Sequence, residues 1–299
     1  MKPASFDYLA PTSLEDALVL LANLGEAAKP LAGGQSLVPL MNFRLVRPQH
    51  LIDLNGLTEL SGIRLDDGHL VIGAMTRQRE IERSALVRER CPLLAEAMPL
   101  IGHVQIRNRG TVGGSLAHAD PAAELPAVVA ALGGTLVIRS GTGQRVLTAD
   151  TFFVSYLTCA LTPAELLVEI RLPVTPPHTG TAFMEVSRRH GDFALVGVAA
   201  TVSLDEAGVC TAATLALTGV GPTPVLAREA SRALVGAAPS SKALEDVGTR
   251  VAASITPDGD LHASSEYRKH LAGVLTRRTL ARAAERASAA GPPAPGGRR

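Results

Sequence analysis

Two glycine-centred segments constrain this chain more than any other feature. They read Leu31-Ala32-Gly33-Gly34-Gln35-Ser36-Leu37 and Arg109-Gly110-Thr111-Val112-Gly113-Gly114-Ser115. Each pairs adjacent glycines with a small hydroxyl residue just after them. Glycine lets a backbone approach a ligand closely and adopt positive φ, so successive amides can converge on an anion. The chain holds 28 glycines, so either segment alone reads as an ordinary tight turn. Two of similar grammar, far apart, point to one long phosphate-bearing ligand gripped from two sides. No Gly-x-Gly-x-x-Gly occurs, which disfavours a Rossmann dinucleotide site. No glycine loop ends in Gly-Lys-Ser or Gly-Lys-Thr, which disfavours a P-loop.

The remaining composition removes other classes. Net charge is +1, tryptophan is absent and aromatics are 3%, so neither a nucleic acid nor an anionic membrane is expected as partner. Hydrophobic residues at 46% of 299 allow a sizeable core and two or three domains. Cys91, Cys159 and Cys210 are scattered, as reduced thiols of a cytoplasmic protein would be. No Cys-x-x-Cys pair and no metal-ligand histidine spacing is present, so no cluster or metal is expected on this chain. Met1 to Tyr8 lacks the apolar core of a signal peptide, and no apolar run is of membrane-spanning length.

Local patterns give the organisation. Pro11-Thr12-Ser13-Leu14-Glu15-Asp16 reads as a helix start, with Ser13 and Asp16, or Thr12 and Glu15, as a capping box. Leu14, Leu18, Leu21 and Ala22 form its apolar face and Gly25 its stop. Strands are expected at Lys29–Leu31, His50–Leu54, Leu70–Gly73, Thr135–Arg139 and Leu166–Leu172. Helices are expected over Ser84–Leu100 and Leu125–Leu132. A proline cluster from Pro173 to His178 marks a boundary. Strands at Phe183–Ser187, Ala194–Leu204 and Thr211–Thr218 follow. Helices then come at Pro224–Leu234, Ser240–Ser254 and Ser265–Arg286. Strands followed by helices argue for an α+β chain. The expected division is 1–175, in subdomains of about 1–56 and 57–175, then 178–286, with a disordered tail over 287–299.

Several ordered stretches carry a resemblance. They are Ala32 to Pro39, Ile101 to Leu116, and His118-Ala119-Asp120-Pro121-Ala122-Ala123-Glu124-Leu125-Pro126. Thr151-Phe152-Phe153, Pro163 to Leu167, Gly191-Asp192-Phe193-Ala194 and Tyr267-Arg268-Lys269 follow in order. Together they resemble the FAD-binding medium subunit of the molybdenum hydroxylases, the family of the carbon monoxide dehydrogenase medium subunit and the xanthine dehydrogenase flavin domain. The resemblance implies a vanillyl-alcohol-oxidase (PCMH) type flavin domain of two subdomains. It also implies a small C-terminal domain with a three-stranded antiparallel sheet and helices.

The resemblance also implies roles. Leu31, Ala32, Gly33, Gly34, Gln35 and Ser36 would hold FAD on one side, and Thr111, Gly113, Gly114 and Ser115 on the other. A Cβ at Gly34 or Gly114 is expected to take space from the pyrophosphate. Glu124 would hydrogen-bond the sugar or ribityl chain, Asp120 would lie beside it, and Ile101 and Leu167 would line the rings. Ile101 and Leu167 read equally as core residues, Asp120 as a turn residue and His118 as a structural histidine. Relatives place a lysine near Met184 or Glu185, and this chain has none. Arg188 and Arg189 read as a solvated face. Arg107-Asn108-Arg109 reads as a loop brace, and Arg277, Arg278, Arg282 and Arg286 as a solvated or partner-facing surface.

No catalytic side chain is expected, because the flavin is the reactive group. Partner chains would carry the molybdenum cofactor on a large subunit and 2Fe-2S clusters on a small one, as a dimer of heterotrimers. Electrons would leave to NAD, a quinone, oxygen or a carrier protein. The expected location is the cytoplasm, with room for peripheral contact at the inner membrane face. Two other readings are a stand-alone flavin oxidoreductase of the same fold superfamily and a structural subunit that has lost FAD.

Overall fold

The computed structural model describes residues 1–289. The chain begins with β1 (Asp7–Leu9), α1 (Leu14–Leu24), β2 (Ala28–Leu31), α2 (Leu37–Asn42) and β3 (His50–Asp53). β3 lies between β1 and β2, parallel to both. Ser13 is the residue that caps α1: its hydroxyl accepts from the Asp16 N–H at 3.1 Å. Gly25 ends the helix at φ +51°.

A second unit holds β4 (Ile63–Asp66), β5 (His69–Gly73), α3 (Gln78–Arg83), α4 (Ala85–Arg90), α5 (Pro92–Ala97), α6 (Val104–Arg109), α7 (Val112–His118) and α8 (Glu124–Ala131). It continues with β6 (Thr135–Ser140), β7 (Gly143–Thr148), α9 (Ala149–Phe152), β8 (Phe153–Ser155), β9 (Thr158–Cys159) and β10 (Leu166–Pro173). The sheet order is β4-β5-β10-β6-β7, antiparallel throughout. The helix expected over Ser84–Leu100 is broken. Cys91 has φ −142° and Pro92 begins a new helix, because proline disfavours the α region for the residue before it. Leu14, Ala17, Leu18 and Leu21 of α1 share one buried cluster with Val137, Leu166 and Val168, which fastens the first sheet to the second.

The last unit is β11 (Thr179–Ser187), β12 (Ala194–Leu204), β13 (Cys210–Thr218), β14 (Val225–Leu226), α10 (Arg228–Arg232), α11 (Ser241–Ser254) and α12 (Ser265–Ala289). Three long antiparallel strands gain the two-residue β14 at one edge. β14 and α10 occupy the stretch where one helix was expected, Pro224–Leu234. Both faces of this sheet are covered. Phe183, Ala199 and Ala216 join the core of the second unit, while Ala182, Val196, Val198 and Leu217 pack with α11 and α12 residues. That double burial explains the unbroken apolar run at the start of β12, which a one-sided strand would interrupt with polar residues.

Arg286 corrects one expectation. It does not lie on a free basic face. Its guanidinium reaches Glu96 of α5 and the Thr181 carbonyl oxygen, clamping α12 to the second unit. Arg277, Arg278 and Arg282 are exposed. The last helix runs through Ala289, past the expected start of the tail at 287. The rest of that expected tail, 290–299, falls outside the described residues. Among the described residues, no helix is long and apolar enough to cross a membrane.

Candidate functional site

The two glycine segments meet. A Cβ built on Gly33 would lie 2.5 Å from the Arg109 carbonyl oxygen and 2.8 Å from the Gly110 Cα. β2 delivers the first segment and β3 anchors it, with the Leu54 N–H donating to Leu31 O at 2.9 Å. Asn55, two residues past the end of β3, donates from Nδ2 to Ala32 O at 3.0 Å. Its Oδ1 accepts from Arg77 Nη2 at 2.6 Å, and Arg77 Nη1 donates to Arg109 O. Asp53 completes the strap by accepting from the Tyr8 hydroxyl and from the Asn55 N–H. Burial works to raise the Asp53 carboxyl, but hydrogen bonds from Tyr8 and Asn55 and the Arg109 charge hold it below the usual range. Burial, then the charge of Arg109, lowers the Arg77 guanidinium, so two cations stand together at this junction.

The segments divide their labour unequally. In the first, Gly34 has φ +72°, the left-handed region that glycine tolerates. Among the described residues, the amides of Gly33, Gly34, Gln35 and Ser36 donate to no protein acceptor. In the second, the amides from Val112 to Ser115 are already spent. Val112 donates to Thr76 O at 3.1 Å and Gly113 to Ala74 O at 2.8 Å. Gly114 donates to Thr111 Oγ1 at 3.0 Å and Ser115 to Thr111 O at 3.2 Å. Gly113 and Gly114 are not in a turn. They lie in α7, which Thr111 caps. This corrects the expected second set of backbone donors. What that side still offers a ligand is the Thr111 N–H, which among the described residues donates to no protein acceptor, and the hydroxyls of Thr111 and Ser115.

The steric role of the glycines changes with this. A Cβ on Gly34 would meet Leu31 Cδ1 and Val38 Cγ2, each at 3.2 Å. On Gly114 it would meet Thr111 Oγ1 at 2.7 Å and Ala32 Cβ at 3.3 Å. On Gly113 it would meet Ala74 Cβ at 2.5 Å. Each of these glycines thus leaves room for neighbouring protein atoms.

Ile101 is 8% exposed and is held by its own turn. Arg107, also buried, donates from Nη1 to the Ile101 and Gly102 carbonyl oxygens at 3.0 and 2.9 Å, and from Nε to Glu82 at 2.9 Å. The expected loop brace is thus Arg107, with Arg109 exposed beside it. Leu167 is 6% exposed, at the bulge where β10 shifts register against β6. The next residue, Val168, accepts from the Ala74 N–H at 2.9 Å, beside the Gly113 contact. Asp120 accepts from the Ala122 N–H at 2.9 Å, the side-chain turn expected before a proline. His118 ends α7.

Glu124 begins α8 and is 3% exposed. Burial, reinforced by the Asp120 charge, pushes its carboxyl up to about 7. Sequence reasoning missed Asn55, Arg77 and Glu185. Asn55 stands before Gly56 just past β3, a pair that signals a turn and hides the contact with Ala32. Glu185 lies where a lysine was sought, and burial pushes it up to about 8.

A parallel three-stranded sheet strapped to a five-stranded one, with free amides at their junction, defines a two-subdomain cofactor-binding protein. The family described as FAD binding domain in molybdopterin dehydrogenase matches residues 4–175, and CO dehydrogenase flavoprotein C-terminal domain matches 181–283. The 6-hydroxypseudooxynicotine dehydrogenase complex subunit alpha of Paenarthrobacter nicotinovorans is 44% identical, covering 96% of this chain and 97% of its own. The carbon monoxide dehydrogenase medium chain of Afipia carboxidovorans is 40% identical over 96% of this chain and 99% of its own. Quinoline 2-oxidoreductase of Pseudomonas putida 86 superposes with a TM-score of 0.92 at 37% identity, covering 96% of this chain and 99% of that one. The chain belongs to the family of FAD-binding medium subunits of the molybdenum hydroxylases.

Proposed function

We propose that this chain holds FAD across the junction of its two glycine segments and relays electrons within a multi-subunit molybdenum hydroxylase or dehydrogenase. The observation that carries the reading is the run of acceptor-free amides from Gly33 to Ser36, set against the Thr111 and Ser115 hydroxyls. A pyrophosphate needs donors at close range, and amides supply them without burying a side-chain cation. The Ser36 hydroxyl adds a donor, and Arg77 and Arg109 add positive potential behind the loop. Leu31 and Ala32 shape the approach. Glu124, with Asp120 beside it, accepts from a cofactor hydroxyl, and Ile101 and Leu167 give the rings an apolar wall. Bound FAD supplies electron transfer, and the chain binds it, orients it and limits water around it.

The relatives are named as a complex subunit and a medium chain, which supports partner chains here. The proposed partners are a large molybdopterin-binding subunit and a small iron–sulfur subunit, in a dimer of heterotrimers. The acceptor is NAD, a quinone, oxygen or a carrier protein. The thiols of Cys91, Cys159 and Cys210 are unpaired, which fits a cytoplasmic assembly that touches the inner membrane face at most peripherally.

Purification of the full chain tests this reading. Denaturation is expected to release FAD in equimolar amount, and reduced iron–sulfur partner is expected to bleach the bound flavin. A native complex that contains no FAD would defeat the proposal.

A further inference from the structure

Glu124 and Glu185 both lie at the seam where the flavin domain meets the C-terminal sheet, near enough for the charge of Glu124 to be felt at Glu185. Glu185 on β11 pairs with Gly197 on β12, and Gly197 pairs with Thr218 on β13. Strand alternation puts the row on the face that carries Phe183. Gly197 leaves that face open: a Cβ there would stand 3.4 Å from Glu185 Cβ, 3.2 Å from the Phe183 ring and 2.7 Å from Thr218 Cγ2. The Thr218 hydroxyl lies 2.7 Å from Pro121 O and 2.8 Å from Ala123 O, sharing its one proton just before Glu124. Along its length, β11 is tied near Phe183, whose N–H donates to Glu96 at 3.3 Å. Beyond β11, a Cβ on Gly191 would meet the His103 ring at 2.5 Å. Glu185 falls between these two ties along the chain.

No cation among the described residues pairs with these carboxyls. Among the described residues, no salt bridge includes either glutamate, and Glu185 Oε2 is buried without a hydrogen-bond partner. Asp120 adds negative charge from the turn before α8. Arg188 is turned to Asp192 at 3.6 Å and His262 at 2.9 Å. Arg268 is held by Asp260, and Arg286 by Glu96. His103 and His190 stand by the β11–β12 turn with ring centroids 6.2 Å apart. Two ionised carboxylates in such a seam repel, so one of them keeps its proton. Burial raises both groups, and the charge of Glu124 raises Glu185 further.

We propose that Glu124 and Glu185 form a coupled acid pair in which Glu124 ionises first, as the anionic acceptor for a cofactor hydroxyl, while Glu185 keeps its own proton. Glu185 is thus a positioning residue, and this role rests on the FAD reading above. As pH rises through about 8, Glu185 releases its proton to solvent and becomes a second anion. That charge repels Glu124 and the anionic ligand.

The test is FAD titration of the full flavin-free chain from pH 7.5 to 9.5, above the range in which Glu124 ionises. Wild-type affinity is expected to fall about tenfold across that range. Glu185→Gln, neutral throughout, is expected to change less than about twofold, and Glu185→Asp to regain the slope. A wild-type slope in Glu185→Gln overturns the pair. So does a flat wild-type profile.

Thermal melting separates this from failure of the FAD reading. A carboxyl raised from 4.5 to about 8 costs the fold stability as pH rises between those values. Glu185→Gln is therefore expected to melt above wild type at pH 8.5 and level with it at pH 5, with or without flavin. Equal melting at both pH values overturns the pair even if FAD binds. Absence of FAD binding by the wild type defeats the cofactor role instead.

Discussion

Gly33→Ala is expected to weaken FAD binding by about thirtyfold while the chain stays folded. One methyl suffices because what it meets is backbone: the Arg109 carbonyl oxygen at 2.5 Å and the Gly110 Cα at 2.8 Å. Neither can rotate away. The two segments must separate, and overpacking of this kind costs about 2 kcal/mol. The free chain relieves this strain by letting the segments part, and the ligand must draw them back, so at about 1.4 kcal/mol per tenfold the cost falls on affinity. The same shift pulls on the Arg77 bond to Arg109 and the Asn55 bond to Ala32. Gly34→Ala is the informative control. Its built Cβ meets only side-chain tips at 3.2 Å, so its cost comes from φ +72° and is about 1 kcal/mol. Equal flavin titrations for wild type and Gly33→Ala would show that the junction does not shape the site.

Arg268→Ala is expected to be the most destabilising single truncation in the C-terminal unit. Arg268 is 7% exposed. It donates to Leu195 O at the start of β12, to Gly219 O at 3.1 Å just after β13, and to Asp260 at 2.7 Å. Truncation removes a donor from two carbonyl oxygens and from Asp260 Oδ2, and opens a cavity at a buried position, a loss of about 3 kcal/mol. At about 3 °C per kcal/mol, the melting temperature should drop by about 9 °C. The damage also reaches toward the cofactor side. Gly219 N–H donates to Pro121 O at 2.8 Å, and that turn sets the start of α8 and Glu124. A melting temperature within about 2 °C of wild type would contradict this role for Arg268.

Much of the fold was legible because local signals agreed with tertiary ones. Ser13 and Gly25 bound α1 as their chemistry predicts, and β12 spans the expected Ala194–Leu204. The misreadings share a cause. Adjacent glycines at 113 and 114 read as a turn, since glycine weakens a helix. Yet Ala74 lies against Gly113 so closely that no side chain fits, and packing overrides propensity. The same distance in sequence hid the division of labour in the site. That the second segment's amides from Val112 to Ser115 are spent depends on Ala74, Thr76 and a capping hydroxyl, which only the fold brings together. Glu185 stayed hidden because its partner is set by strand register across Gly197, not by any local motif.

Amide hydrogen exchange with and without FAD tests the unequal clamp most directly. The amides of Gly33, Gly34, Gln35 and Ser36 have no protein acceptor and are expected to exchange fast in the flavin-free chain and slow strongly on FAD addition. Those of Gly113, Gly114 and Ser115 already donate within the protein and are expected to be slow before FAD and to change little. Unchanged exchange at residues 33–36, with new protection confined to 113–115, would contradict the account.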